Sequence, residues 1–128
     1  MSEYRILVVE DNERNLKLVR DVLQFAGYDV VEARSGEQGV ALAKECSPDL
    51  VLMDIQLPHM DGAEALHRLR EGPETRTIPV VALTAFAMRE DHEEALRAGF
   101  DGYLEKPISV RDLPEQVRHF LDGKEPHR

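Results

Sequence analysis

The 128-residue sequence contains one cysteine, Cys46, so no internal disulfide can brace the fold, and no spaced Cys/His framework for a metal surrounds it. Positive charge is in deficit: 16 Lys and Arg against 25 Asp and Glu leave a net charge of −9. That balance repels nucleic-acid phosphates and anionic membrane surfaces. Long apolar runs are absent as well. Stretches such as Ile6-Leu7-Val8-Val9 end after a few residues, too short for a transmembrane helix, and Met1-Ser2-Glu3-Tyr4-Arg5 leads straight into a strand-like segment with no secretory signal. A cytoplasmic protein is expected. Neither a GxGxxG nor a Walker pattern follows the first apolar run, which excludes dinucleotide and P-loop nucleotide binding. The five histidines, His59, His67, His92, His119 and His127, stand without ligand spacing and read as surface side chains.

What is present is the composition of one globular domain, since 42% hydrophobic and 32% charged residues suffice for a real core. Residues 1–122 are expected to form it, with 123–128 as a flexible tail. Short β-branched apolar runs alternate with longer segments of helical period, the pattern of βα units on a parallel sheet. Strands are expected at Ile6–Glu10, Asp29–Ala33, Leu50–Asp54, Pro79–Thr84 and Gly102–Glu105. The first, third and fourth are apolar without alternation, as central strands covered on both faces must be. A first helix is expected over Arg14–Ala26, stopped by Gly27, and a second is opened by the capping-box spacing of Ser35-Gly36-Glu37-Gln38 and ends before Pro48. Asp61-Gly62-Ala63-Glu64 opens a third, ended by Gly72-Pro73, and a fourth runs from Met88 to Ala98 before Gly99. A last helix follows Ser109, with Val110, Leu113, Val117, Phe120 and Leu121 at apolar spacing and Pro114 in its first turns. Right-handed crossovers then give an α/β fold, a three-layer, doubly wound (βα)5 parallel sheet of strand order 2-1-3-4-5. Ligands in such sheets bind beyond the carboxyl ends of the strands, at the switch point between strands 1 and 3.

The carboxyl ends of the expected strands supply Glu10 and Asp11, then Asp54, Thr84 and Lys106, all at one rim. Neighbouring strands lie about 4.8 Å apart, so Asp11 and Asp54 are expected to face each other across the switch point. Three packed carboxylates raise one another's pKa values unless a cation neutralises them. Only oxygen donors are on offer, and few of them, so Mg2+ with several retained waters fits better than zinc or a caged Ca2+. A carboxylate can also be the nucleophile that accepts a phosphoryl group, and Asp54 is the central candidate. Phosphoryl transfer needs chiefly positioning and charge neutralisation: Mg2+ for one oxygen, the Lys106 ammonium for a second, and the Thr84 hydroxyl with nearby N–H groups for a third. Each residue alone has a plainer explanation. Glu10-Asp11-Asn12 suits a helix start, Asp54 a turn and Thr84 a strand end. Their joint occurrence at one rim is what points to chemistry.

These residues resemble the receiver domains of two-component response regulators, over Ile6 to Leu121. The resemblance is carried by Val9-Glu10-Asp11-Asn12, Leu52-Met53-Asp54-Ile55-Gln56-Leu57-Pro58, Met60-Asp61-Gly62, Leu83-Thr84-Ala85 and Glu105-Lys106-Pro107. Asp54 to Pro58, Pro79 to Met88 and Lys106 to Val110 look most like single-domain cell-cycle regulators of the DivK type. The resemblance implies a flavodoxin- or CheY-like fold with Asp54 as the phosphoacceptor. It also implies Mg2+ ligation by Glu10, Asp11, Asp54 and the Gln56 carbonyl, phosphoryl contacts from Thr84 and Lys106, Tyr103 as an aromatic switch, and a cis Lys106–Pro107 bond. A histidine kinase or histidine phosphotransfer protein is the implied donor, and an effector protein reading the face of helix 4, strand 5 and helix 5 is the implied target. No output domain, no nucleic-acid or membrane contact, and no enzymatic activity beyond the regulator's own phosphorylation and dephosphorylation are expected. Gln56 and Phe86 fall where hydrolysis is tuned. On phosphorylation Thr84 and its loop are drawn toward the new anion, and Tyr103 turns into the space freed near strand 4.

Three competitors share parts of this pattern. Haloacid-dehalogenase-type phosphatases use an Asp nucleophile, but they want a second acid two residues on, where Gln56 stands. A flavin-binding module needs a phosphate loop after strand 1, and Glu10-Asp11 repels that phosphate. A pseudo-receiver acting as a phosphorylation-independent scaffold stays open at this point. Arg89, Glu90, Asp91, Glu93 and Glu94 form either a docking face or a solvated one.

Overall fold

The computed structural model describes residues 4–57, 60–85 and 89–122, with the side chains of 89–92 outside that description. Strands and helices alternate strictly: β1 (Arg5–Val9), α1 (Glu13–Phe25), β2 (Asp29–Ala33), α2 (Gly36–Cys46), β3 (Leu50–Asp54), α3 (Gly62–Glu71), β4 (Val80–Thr84), α4 (Arg89–Ala98), β5 (Gly102–Glu105) and α5 (Leu113–Asp122). The strands form one parallel sheet in the order β2-β1-β3-β4-β5, as expected.

Caps set the element boundaries. Asn12 accepts from the Asn15 N–H at 3.0 Å and starts α1 one residue earlier than expected. Ser35 accepts from Gln38 N–H at 3.1 Å, but the Gln38 side chain returns to the N–H of Arg34 at 2.8 Å, so the box closes one residue further back. Asp61 accepts from Glu64 N–H at 2.9 Å. Gly27 and Gly99 end α1 and α4 with φ of 98° and 109°, a conformation that costs other residues a Cβ clash. β4 begins at Val80 because Pro79 has no N–H for the ladder; its carbonyl still accepts from Val51 at 3.0 Å.

The last helix differs from expectation. Ser109 Oγ accepts from Asp112 N–H at 3.2 Å and its carbonyl from Leu113 N–H at 2.9 Å, which makes a turn that precedes α5. Val110 therefore leaves the apolar stripe and is 54% exposed, while Leu113, Val117 and Leu121 form the buried face. The expected start of the fourth helix at Met88, together with Pro58, His59, Phe86, and the 123–128 tail with His127, lies outside the described residues.

Alternation along the buried strands splits the core into two layers. Leu7, Val9, Val51, Met53, Val80 and Ala82 pack with residues of α2, α3 and α4, such as Ala43, Leu66 and Ala95. Ile6, Val8, Leu50, Leu52, Val81 and Leu83 pack with Leu16, Val19 and Leu23 of α1 and Leu113, Val117 and Leu121 of α5. Among the described residues no helix is long and apolar enough to cross a membrane.

One close approach bears on the functional rim. A Cβ on Gly62 would lie 2.6 Å from the Cα of Ile55 and 2.9 Å from the carbonyl oxygen of Asp54, both backbone atoms. Gly62→Ala should lower stability by about 1–2 kcal/mol in urea denaturation, because overpacking of ~1–3 kcal/mol outweighs alanine's helix preference of at most ~1 kcal/mol. An unchanged midpoint would show that the α3 start yields without cost.

Candidate functional site

Strand register builds the rim. Val9 pairs with Met53, so Glu10 and Asp54 come level, each one residue further along its chain. Asp54 pairs with Leu83 and Thr84 with Glu105, which brings Thr84 and Lys106 to the same end of the sheet. The period of two then selects faces: Glu10, Asp54 and Lys106 continue the side facing α1 and α5, whereas Thr84 continues the side facing α2, α3 and α4. Tyr103, half-buried against that second layer, shares the Thr84 side.

Lys106 joins the two buried acids. Its Nζ donates to Asp54 Oδ2 at 2.9 Å and to Glu10 Oε1 at 3.1 Å, across 52 and 96 residues of sequence. Asp54 is 4% exposed, and its Oδ1 accepts the Gln56 N–H at 2.9 Å. Glu10 is 1% exposed. The Asn12 N–H reaches its Oε1 at 3.3 Å. Its Oε2 is ion-paired with Lys106 Nζ at 2.9 Å but, among the described residues, accepts no aligned hydrogen bond. Burial pushes the Glu10 carboxyl above its ordinary pKa, aided by the Asp54 charge and only partly countered by Lys106. Burial acts downward on Lys106, but its bonds to Glu10 and Asp54 outweigh that and hold its pKa above the usual value. The ammonium is charged at neutral pH.

Asp11 completes the cluster from the solvent side. One carboxylate oxygen each from Glu10, Asp11 and Asp54 lies within 4.8 Å of the others, with Glu10 and Asp54 buried and Asp11 exposed. A buried carboxylate oxygen without an aligned hydrogen bond, beside two further carboxylates and, among the described residues, no histidine or cysteine in the cluster, suits a hard divalent cation with an open, hydrated side.

The structure thus brings together Glu10, Asp11, Asp54 and Lys106, and it puts Thr84, buried at 2% exposure, at the same rim. Asp11 and Asp54 come within 4.8 Å of each other across the switch point, and buried Glu10 joins them. Glu10 shares the Lys106 ammonium with Asp54, because the pleat turns Glu10 inward and leaves Asp11 in the turn ahead of Asn12. The Gln56 side chain is exposed, and the contribution visible at the site is its backbone N–H. The Lys106–Pro107 bond is cis. His67 and His119 are exposed, in line with their surface assignment. Sequence inspection missed the Arg34–Glu13 ion pair of 2.8 Å, which spans the starts of α1 and α2 beside Asp11; only the opposite charges at two expected helix starts hinted at it.

Residues 6–118 match the response regulator receiver domain family. The chain is 46% identical over 116 residues to the polar-differentiation response regulator DivK of Brucella ovis, covering 91% of this chain and 94% of that protein. Among solved structures it is similar to the chemotaxis protein CheY4 of Vibrio cholerae, with 28% identity and a TM-score of 0.85 over 91% of this chain and 97% of that one. It is also similar to the receiver domain of a sensor histidine kinase from Pseudomonas aeruginosa PAO1, solved with a magnesium ion coordinated in the active site cleft. There the identity is 35% and the TM-score 0.85, over 93% of this chain and 98% of that one.

The raised pKa of Glu10 fixes the sign of a pH dependence. Glu10 binds its proton more tightly in the folded protein, so its favourable contribution is complete below its ordinary value of 4.5 and is lost as pH rises through the folded value. Urea titrations in the presence of a chelator should therefore show Glu10→Gln gaining on wild type as pH rises from the ordinary value of 4.5 through the higher folded value. Parallel stability curves would contradict the burial of an unneutralised carboxylate.

Proposed function

The chain belongs to the response regulator receiver domain family, and from that premise we propose that Asp54 accepts a phosphoryl group from a phosphohistidine and passes the signal on by protein contact. The observation that carries this reading is Asp54 itself: a buried carboxylate held by Lys106 and the Gln56 amide, beside two further acids at the mouth of the sheet. An Asp54 oxygen attacks phosphorus, the P–N bond to the donor imidazole breaks, and the imidazole leaves with its electron pair and takes up a proton, leaving an acyl phosphate on Asp54.

Glu10, Asp11, Asp54 and the Gln56 carbonyl would hold Mg2+, which when bound neutralises carboxylate and phosphoryl charge. Lys106 supplies a mobile ammonium that can follow the charge from Asp54 to a phosphoryl oxygen. Thr84 supplies a hydroxyl to another. The same-face relation of Thr84 and Tyr103 supports coupling between them: when Thr84 moves to the new anion, Tyr103 fills the space it leaves. We take the receiver unit as residues 1–122 with 123–128 as its tail. Its only chemistry in this reading is its own phosphorylation and dephosphorylation.

The donor is a histidine kinase or a histidine phosphotransfer protein, and the effector reads the α4–β5–α5 face. Leu96 on α4, 48% exposed, and Val110 ahead of α5, 54% exposed, supply the apolar surface such a contact needs. The net charge of −9 speaks against nucleic acid and anionic membranes as partners, and a cytoplasmic setting belongs to the same proposal.

Intact-mass analysis after incubation with acetyl phosphate tests the assignment. Wild type should gain one phosphoryl group in Mg2+ and none in chelator, and Asp54→Ala none in either; a gain by Asp54→Ala would move the acceptor elsewhere. Thr84→Ala should still be phosphorylated, while the phosphorylation-dependent gain in effector affinity falls about tenfold. An undiminished gain, measured by titration of the effector, would sink the Thr84 coupling.

A further inference from the structure

At the amino end of the sheet, opposite the Asp54 rim, one guanidinium ties three segments together. Arg70 stands in the last turn of α3 with its side chain 29% exposed. Its Nη1 donates to the carbonyls of Arg76 at 3.0 Å and Ile78 at 2.7 Å, on the lead into β4. Its Nη2 donates to Asp101 Oδ2 at 2.9 Å and to the Gly99 carbonyl at 3.4 Å, in the turn between α4 and β5. Asp101 Oδ2 also accepts the Val80 N–H at 2.7 Å, and the Asp101 N–H donates to the Val80 carbonyl at 2.8 Å. A planar fork presents donors on separate nitrogens to both segments in a fixed geometry, with more reach than the single nitrogen of a lysine ammonium.

Among the described side chains of α4, Glu93 to Ala98, only Ala95 is buried, and Leu96 is 48% exposed. A methyl group removes little area from water, and at about 25 cal/mol per Å2 it contributes little. Past the helix, Phe100 is 4% exposed in the core and the Gly99 and Phe100 N–H groups close back on Leu96 and Ala95 at 3.1 and 3.2 Å. Among the described residues, the carboxyl end of α4 is thus firmly attached, and it is there that Arg70 grips.

We propose that Arg70 is a positioning residue for the signal: it pins the carboxyl end of α4 through Gly99 and Asp101. Events at the Asp54 rim then shift the amino end of α4 about a fixed point. The shift rests on the receiver reading given above; the pin rests on the clasp geometry alone. With the far end held, displacement is confined to the half of α4 nearer the rim, and the output face changes shape instead of loosening.

Amide hydrogen exchange on wild type, Arg70→Met and the milder Arg70→Lys, before and after phosphorylation by acetyl phosphate with Mg2+, tests this. Phosphoryl occupancy is read by intact mass. In wild type, phosphorylation should alter exchange in the first two turns of α4 and leave residues 99–102 unchanged. In Arg70→Met, residues 99–102 should exchange about tenfold faster with α1 unaffected, and phosphorylation at wild-type occupancy should now alter exchange at both ends of α4. Arg70→Lys should fall between. Exchange of residues 99–102 in Arg70→Met within about twofold of wild type would overturn the pin. A wild-type turn that responds to phosphorylation as strongly as the amino end of α4 would overturn the fixed point. Failure of wild type to take phosphate would instead count against the receiver reading, and it shows in the mass measurement.

Discussion

Three carboxylates within 4.8 Å of one another are the constraint around which this molecule is arranged. Two of them are buried, and like charges at that separation oppose folding unless something offsets them. Lys106 offsets part of the repulsion by bonding to Asp54 and Glu10 together. Among the described residues one buried Glu10 oxygen has the Lys106 charge beside it but no aligned hydrogen bond, and burial still holds that carboxyl above its ordinary pKa. The cluster is thus suited to a divalent cation, and in the proposed mechanism a cation there also prepares Asp54 for an anionic phosphoryl group.

The sheet makes this arrangement inevitable once its order is set. With β1 beside β3 and β5 beyond β4, the residues following Val9, Met53 and Leu83 reach one rim, and the pleat turns Glu10, Asp54 and Lys106 to one side and Thr84 to the other. The two sides have different tasks in the proposed mechanism. One assembles the charge chemistry, and the other, with Thr84 and Tyr103 against the second core layer, relays it. Membership of the receiver family accords with this division, and the DivK and CheY4 relatives share the chain's dimensions almost end to end.

Much of this is legible in the order of the residues alone. Runs such as Leu50-Val51-Leu52-Met53-Asp54 announce a buried strand ending in an acid, and Asn12, Ser35 and Asp61 are helix caps whose chemistry is local. Strand order follows from βα rhythm, and the rim follows from strand order. What stays hidden depends on pairing over long separations. That Glu10 shares Lys106 with Asp54 turns on the pleat of β1 carried one residue past its end at Val9. The position of Val110 outside α5 turns on whether Ser109 caps a helix or a turn, two outcomes that use the same hydrogen bond. Arg70 gives no local sign at all, since three of its four partners are backbone carbonyls in segments of unremarkable sequence.

In the proposed mechanism one end of the molecule is charged and responsive and the other end tied. That the acid cluster takes up a cation is tested most directly by thermal unfolding. Wild type titrated with Mg2+ should gain about 1.4 kcal/mol at ten times the dissociation constant, a rise in Tm of roughly 4–7 °C. Asp11→Asn should melt higher than wild type without metal, one repelling charge having gone, and should lose most of the Mg2+ response. A wild type indifferent to Mg2+, or an Asp11→Asn variant stabilised by Mg2+ as fully as wild type, would contradict the account.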